Sequence, residues 1–200
     1  MKLFLCYNFN MKLIIIRGNS GSGKTIITDT LADKLGAEKI HIDDFKSVIL
    51  RDLRVKNKPI VLNDICKEAM MEAIALLEKM KSGGAPLVIM EELFYNEKFT
   101  EELNKYCVDN NIDVQWFRIE REMEKIIEAQ ESSERTTRKI RNSKEDIEMM
   151  ESRIRENVIE GEVVIMNDGN IEDVLREFLV NISREGVGKE IFNEFKIPKH

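Results

Sequence analysis

Residues 18–25, Gly18-Asn19-Ser20-Gly21-Ser22-Gly23-Lys24-Thr25, constrain this chain more than any other stretch. They match the pattern G-x-x-x-x-G-K-[ST], following the apolar run 13–16 and preceding a helix-like segment. That segment, 25–35, carries Ile27, Leu31 and Leu35 at spacings of four and stops at Gly36, a natural helix C-cap. Strand, glycine-rich loop and helix therefore stand in the order that a phosphate-binding loop demands. Glycines let the backbone fold so tightly that successive N–H groups point at phosphate oxygens, and the helix N-terminus adds partial positive charge. In such a loop Lys24 reaches the β- and γ-phosphates of a nucleoside triphosphate, ATP or GTP, and the Thr25 hydroxyl holds Mg²⁺. The next residue, Ile26, has no hydroxyl and takes no such role.

Further apolar runs at 40–42, 87–90, 114–119 and 163–166 read as doubly buried parallel strands separated by helical segments, which makes the chain α/β. A long helix runs from Asn63, its expected N-cap, along the stripe Ile65, Ala69, Ala73, Leu76, Leu77 and Met80. A shorter one covers 100–110. Trp116 lies in a strand apolar on both faces except at Gln115, which gives it a structural role. Residues 120–157 form a charged helical stretch broken around 132–137 by a loop expected to be mobile, and a last helix follows the turn at 167–170. Residues 11–183 make one domain. Residues 1–10 read as an extension or loose tail, with edge-strand use of residues 3–7 as the alternative, and 184–200 as a C-terminal tail that can dock as a short helix.

Charge and cysteine use narrow the function classes. A formal net charge of −6 repels a long polyanion, so general nucleic-acid binding is disfavoured. Three widely spaced cysteines, Cys6, Cys66 and Cys107, suggest neither a disulfide framework nor a zinc site and fit a reducing cytoplasm. No apolar run approaches the ~18–20 residues that span a bilayer.

Several polar residues fall at the carboxyl ends of these strands, the edge where open α/β sheets bind ligands. Asp43 and Asp44 follow the second strand. One is a candidate base for an attacking hydroxyl, with Asp43 preferred, and the other is expected to cap a helix starting near Phe45. Lys46 is either an anchor for an acceptor anion or a surface lysine, and His41 is expected to face a neighbouring strand. Glu91 and Glu92 end the third long run. Glu91 is the preferred ligand for metal-bound water or acceptor, against a solvated acid at a strand end. Arg135, Arg138, Lys139, Arg141 and Lys144 lie in the acid-free stretch 135–144. A lid over about 128–145, with Arg135 and Arg138 on one helical face stabilising transferred charge, competes with a plain solvated helix. Asn167 and Asp168 are expected to lie against the nucleotide base; the alternative is that Asp168 or Asn170 is the N-cap of the last helix.

On these residues the chain resembles the small P-loop kinases of the nucleoside/polynucleotide 5′-kinase group over residues 11–183. Asp43-Asp44-Phe45-Lys46 is similar to the Asp-Asp-aromatic-Arg motif of phage-type polynucleotide kinases. That resemblance implies Asp43 as general base and Lys46 as a contact to acceptor phosphate. Residues 143–157 resemble the helix after the lid in those proteins. Lysine at 46 departs from the motif because it cannot make arginine's bidentate phosphate contact. Glu91-Glu92 with Phe94-Tyr95 is more similar to the third strand of uridine-kinase-like proteins. The resemblance implies a three-layer α/β/α fold with a five-stranded parallel sheet in the order 2-3-1-4-5 and a helical lid. It also implies transfer of the ATP γ-phosphoryl group to a hydroxyl of a small molecule, with a nucleoside or sugar-like acceptor favoured. The expected protein is cytoplasmic, a monomer or homodimer. An oligonucleotide 5′-OH kinase, and an NTP-binding switch or ATPase acting on a partner protein, are the alternatives.

Overall fold

Five strands and seven helices are present in the computed structural model, which describes residues 10–94, 96–131 and 143–184. The strands are β1 (Lys12–Gly18), β2 (Glu38–His41), β3 (Leu87–Glu92), β4 (Asp113–Glu120) and β5 (Val163–Met166). The helices are α1 (Lys24–Leu35), α2 (Ile42–Val55), α3 (Leu62–Ser82), α4 (Glu97–Asp109), α5 (Met123–Glu131), α6 (Lys144–Glu156) and α7 (Ile171–Arg184). All strand pairs are parallel, in the order β2-β3-β1-β4-β5, as the resemblance implied.

β1 is buried along its whole length because helices cover both faces of the sheet. Its side chains alternate between two cores. Leu13 and Ile15 join Val88, Met90 and Trp116 under α2, α3 and α4, through Ile49, Ile65, Ala69, Ala73, Leu77, Leu103 and Cys107. Ile14 and Ile16 join Ile89, Phe117, Ile119 and Ile165 under α1 and α7, through Ile27, Leu31, Val174, Leu175 and Phe178. Three layers result, and the central strand delivers residues 18–25 to the carboxyl edge. Trp116 is structural, as expected: it is buried, donates from Nε1 to Asn104 Oδ1 at 3.0 Å, and meets Phe94 edge-on with ring centroids 5.1 Å apart.

Three helix starts depart from the sequence reading. α2 begins at Ile42, not near Phe45, because Ile42 is buried in the first core; neither aspartate is the cap, and Asp43 and Asp44 sit in the first helical turn. There they still favour the helix through its positive end. α3 starts one residue before Asn63, with Val61 at the N-cap position. α4 starts at Glu97 because Asn96 accepts a hydrogen bond from the Lys98 amide. Gly36 ends α1 at φ 60°, the left-handed cap read from the sequence. The N-terminal extension, most of the lid segment and the C-terminal tail lie outside the described residues. No described helix is long and apolar enough to cross a membrane.

Candidate active site

α1 has an unusually open start. Its N-cap, Gly23, is left-handed at φ 94° and has no side chain to offer, and no acidic residue stands in the first turn. The first amides of any helix have no intrahelical acceptor, so those of Lys24 and Thr25 remain directed at an anion from outside. α6 is the contrast within the same molecule. Ser143 and Asp146 close its N-terminus with a reciprocal capping box, which satisfies the Ser143 and Asp146 amides internally.

The loop before α1 is braced from behind by three separate elements. Asn19, almost fully buried, donates from Nδ2 to the Ile147 carbonyl of α6 at 2.8 Å and to Glu151 Oε2 at 3.2 Å. Its own Oδ1 accepts from the Ser20 amide at 2.7 Å. Arg121, just after β4, donates to the Gly21 carbonyl at 3.1 Å, and Asn167, just after β5, donates to the Ser22 carbonyl at 2.6 Å. Lys24 lies across the loop, with Nζ donating to the Gly18 and Asn19 carbonyls at 2.8 and 2.9 Å. Burial pushes the Lys24 ammonium below the ordinary lysine range, and the nearby Glu91 opposes that shift. An anion in the loop would restore what burial removes.

Gly18 cannot be replaced without moving this frame. A Cβ there would collide with the Ile119 carbonyl oxygen of β4 and crowd Ser22 Oγ, and its φ of 148° is strained for an L-residue. Gly18→Ala is expected to destabilise the fold by about 2 kcal/mol or more and to weaken nucleotide binding. Urea denaturation and nucleotide titration test this; a variant equal to the parent in both would show that the loop yields freely.

The cleft beside the loop is walled by Ser20, Gly21, Gly23, Lys24, Thr25, Asp43, Glu91, Glu92 and Leu93. Glu91 is buried at the end of β3, where Oε1 accepts from Thr25 Oγ1 at 2.9 Å and from His41 Nδ1 at 2.8 Å. The parallel register places His41 directly beside Glu91. His41 Nε2 in turn lies 3.2 Å from Asp29 Oδ1. Both ring nitrogens face carboxylates, an arrangement only the imidazolium satisfies. The bond to Glu91 above all raises the His41 pKa, against the cost of burial. His41 thus faces a neighbouring strand as expected, and the group it meets there belongs to the cleft. Glu91 Oε2 is buried with no hydrogen-bond partner among the described residues.

That orphaned oxygen, next to a threonine hydroxyl in a phosphate loop, is an all-oxygen donor set suited to a hard cation such as Mg²⁺. Among the described residues no group of three or more His, Cys, Asp and Glu side chains forms a metal cage. Mg²⁺ commonly takes only one or two protein ligands and completes its shell with phosphates and water.

On the opposite wall, Asp43 keeps 60% of its side chain exposed at the start of α2, whereas Asp44 is exposed and does not line the cleft. Lys46 Nζ bonds both oxygens of Glu92 at 2.6 Å and lies 3.2 Å from Asp43 Oδ1. Burial works against the Lys46 charge, but Glu92 and Asp43 outweigh it and hold the pKa above the ordinary lysine value. Burial likewise raises the Glu92 pKa, with Lys46 opposing.

The structure brings together Lys24, Thr25, Asp43 and Glu91. Arg135 and Arg138 lie outside the described residues. Asn167 and Asp168 sit on the same edge, engaged with protein: Asn167 braces the loop, while Asp168 Oδ1 accepts from the Glu122 amide at 2.9 Å. Asn170 Oδ1 accepts from the Glu172 amide at 3.1 Å, the bond of an N-cap. Sequence reasoning missed the loop contacts of Asn19 and Arg121, the His41–Glu91 bond, and Arg17. Arg17 is fully buried at the end of β1 and paired with Glu162. A charged residue closing an apolar strand was the available signal for Arg17.

No protein-family model and no curated protein matches this sequence. Solved structures share its fold. A gluconokinase from Sinorhizobium meliloti aligns with a TM-score of 0.62 at 15% identity, over 88% of this chain and 94% of that one. The tunicamycin resistance protein of Deinococcus radiodurans gives 0.63 at 17% identity, over 88% and 96%. Shikimate kinase from Aquifex aeolicus gives 0.58 at 15% identity, over 88% and 99%. The likeness spans nearly the whole length of each, and it shows that this chain shares their three-layer α/β fold.

Proposed function

We propose that this protein is an ATP-dependent kinase that phosphorylates a hydroxyl of a small molecule. The observation that carries the reading is the juxtaposition, across one cleft, of an open phosphate loop and two acids, Asp43 and Glu91. Kinases with sugar-like or alicyclic substrates in their names share the fold, which supports the small-molecule acceptor. GTP in place of ATP is compatible with the same loop.

In this reading the amides of α1 and Lys24 bind the donor phosphates, and Lys24 exchanges its two loop carbonyls for phosphate oxygens. Thr25 Oγ1 and Glu91, directly or through water, would hold Mg²⁺, which when bound neutralises charge on the phosphates and orients them. His41 fixes the Glu91 carboxylate through Oε1, while Oε2 has no protein partner among the described residues. Asp43 accepts the acceptor's hydroxyl proton. The hydroxyl oxygen forms its bond to the γ-phosphorus as the bond to the β-bridging oxygen breaks, and ADP departs with that electron pair. Arg135 and Arg138 are suited to stabilise the transferred charge.

Incubation with γ-labelled ATP, Mg²⁺ and pools of sugars, nucleosides, metabolites and 5′-OH oligonucleotides tests the proposal. Label should move to a small alcohol. Release of free phosphate alone, indifferent to every acceptor, would favour an ATPase or nucleotide switch instead. Asp43→Asn is expected to lower kcat by about 10²-fold or more with nucleotide affinity nearly unchanged. An unchanged kcat would reduce Asp43 to a favourable charge at the start of α2.

A further inference from the structure

We propose that Asp29, on α1 and outside the cleft, is a positioning residue for the metal ligand: acting through His41, it sets how tightly Thr25 and Glu91 hold a divalent cation. This rests on the metal site of the kinase reading above and adds to it a residue that touches neither nucleotide nor acceptor.

Four side chains from three elements close a ring. Thr25 and Asp29, four residues apart, share one face of α1. His41 and Glu91 are register partners on β2 and β3. Ile40 turns into the core beneath α2 and α3, so its neighbours Lys39 and His41 turn to the other face of the sheet, toward α1. Thr25 Oγ1 donates to Glu91 Oε1 at 2.9 Å, His41 Nδ1 donates to the same oxygen at 2.8 Å, and His41 Nε2 lies 3.2 Å from Asp29 Oδ1. The backbone of α1 completes the circuit between Asp29 and Thr25.

The χ2 torsion of histidine is broad, so a ring held at Nδ1 alone can swing and carry its donor away from Glu91. Asp29 holds the opposite nitrogen, and a single ring orientation then satisfies both bonds. Lys39 bonds Asp29 in turn and fixes its carboxylate. Asp29 does not wall the cleft, so its influence on the metal passes through His41. The competing account is a plain surface ion pair between Asp29 and Lys39, whose side chains are each 42% exposed. Such a pair is worth little. It also does not explain the second contact of Asp29, to a ring only 16% exposed that grips a buried acid of the cleft.

The test counts bound Mn²⁺, standing in for Mg²⁺, by electron paramagnetic resonance in the presence of a non-hydrolysable ATP analogue. It needs neither an acceptor nor turnover, so its outcome is separable from that of the transfer assay. Asp29→Ala and His41→Ala should each weaken Mn²⁺ binding by about tenfold, with affinity for the analogue in the absence of metal nearly unchanged. The double variant should bind no more weakly than His41→Ala alone, because the route from Asp29 runs through the ring. Asp29→Asn, whose Oδ1 still accepts from Nε2, should recover most of the loss. Lys39→Met, which removes only the exposed pair, should bind Mn²⁺ nearly as well as wild type. Unchanged Mn²⁺ affinity in a folded Asp29→Ala protein, or additive losses in the double variant, would overturn the inference and leave the kinase reading standing. If wild-type protein binds the analogue and adds no affinity for Mn²⁺, the metal site of Thr25 and Glu91 falls, and the inference with it. Where His41→Ala does not fold, Asp29→Ala against Asp29→Asn decides.

Discussion

Lys24→Ala is expected to abolish phosphoryl transfer, by on the order of 10³- to 10⁵-fold in kcat/KM, while the protein stays as stable as before. The two halves of this expectation have different causes. Transfer fails because the ammonium that meets the β- and γ-phosphates is gone and no other described cation reaches the loop from within the cleft. Stability is preserved because Lys24 is a costly residue without its ligand: burial lowers its pKa, so at neutral pH the folded chain holds a charge it disfavours. Removing the side chain relieves that cost and forfeits two hydrogen bonds to loop carbonyls. The two effects oppose each other. Differential scanning fluorimetry should show an unchanged or slightly raised Tm, and isothermal titration should show weakened ATP binding. Near-normal activity would remove the loop from the mechanism, and a large drop in Tm would mean that Lys24 is structural.

The second large effect falls on stability. Arg17 is fully buried at the carboxyl end of the central strand, with its guanidinium engaged on every side. Nη2 donates to Glu162 Oε2 at 2.8 Å and to the Asn157 carbonyl at 2.6 Å; Nη1 donates to the Phe94 carbonyl at 3.2 Å; Nε also meets Glu162. This one side chain ties β1 to the segment after β3 and to the connection between α6 and β5. Arg17→Ala would leave Glu162 buried with only Arg118 nearby, its Nε 3.8 Å from Oε2. The expected loss is about 3–5 kcal/mol, read from urea denaturation. Replacing both partners, Arg17→Met with Glu162→Leu, should recover much of it, because no charge is then left unpaired. A single-variant loss below about 1 kcal/mol would show that water or rearrangement compensates the carboxylate.

Arg17 also shows where sequence reading stops. The loop, the strands and their helices were legible because each is a local pattern: consecutive apolar residues, fixed glycine spacing, fourfold periodicity. The acids after β2 and β3 were legible by position, since parallel strands deliver their ends to one edge. What stayed hidden depends on contacts across long chain separations. Glu162 is 145 residues from Arg17, and Arg121 reaches back 100 residues to Gly21. The His41–Glu91 bond requires the β2–β3 register, which apolar runs do not specify. Asn19 occupies a position the loop pattern leaves open to any residue, yet its side chain holds α6. The start of α2 was misplaced for the opposite reason: a strong local signal, two aspartates, yielded to the burial of Ile42.

Because α6, through Asn19, and Arg121 and Asn167 brace the loop from three different elements, its shape is supported by protein contacts that need no nucleotide. Recognition then costs little ordering entropy, and affinity is limited chiefly by how readily Lys24 releases its carbonyls. The same arrangement limits substitution: positions that the motif allows to vary are held in this chain by partners elsewhere, so variants grafted from other phosphate loops should fit only together with their own braces.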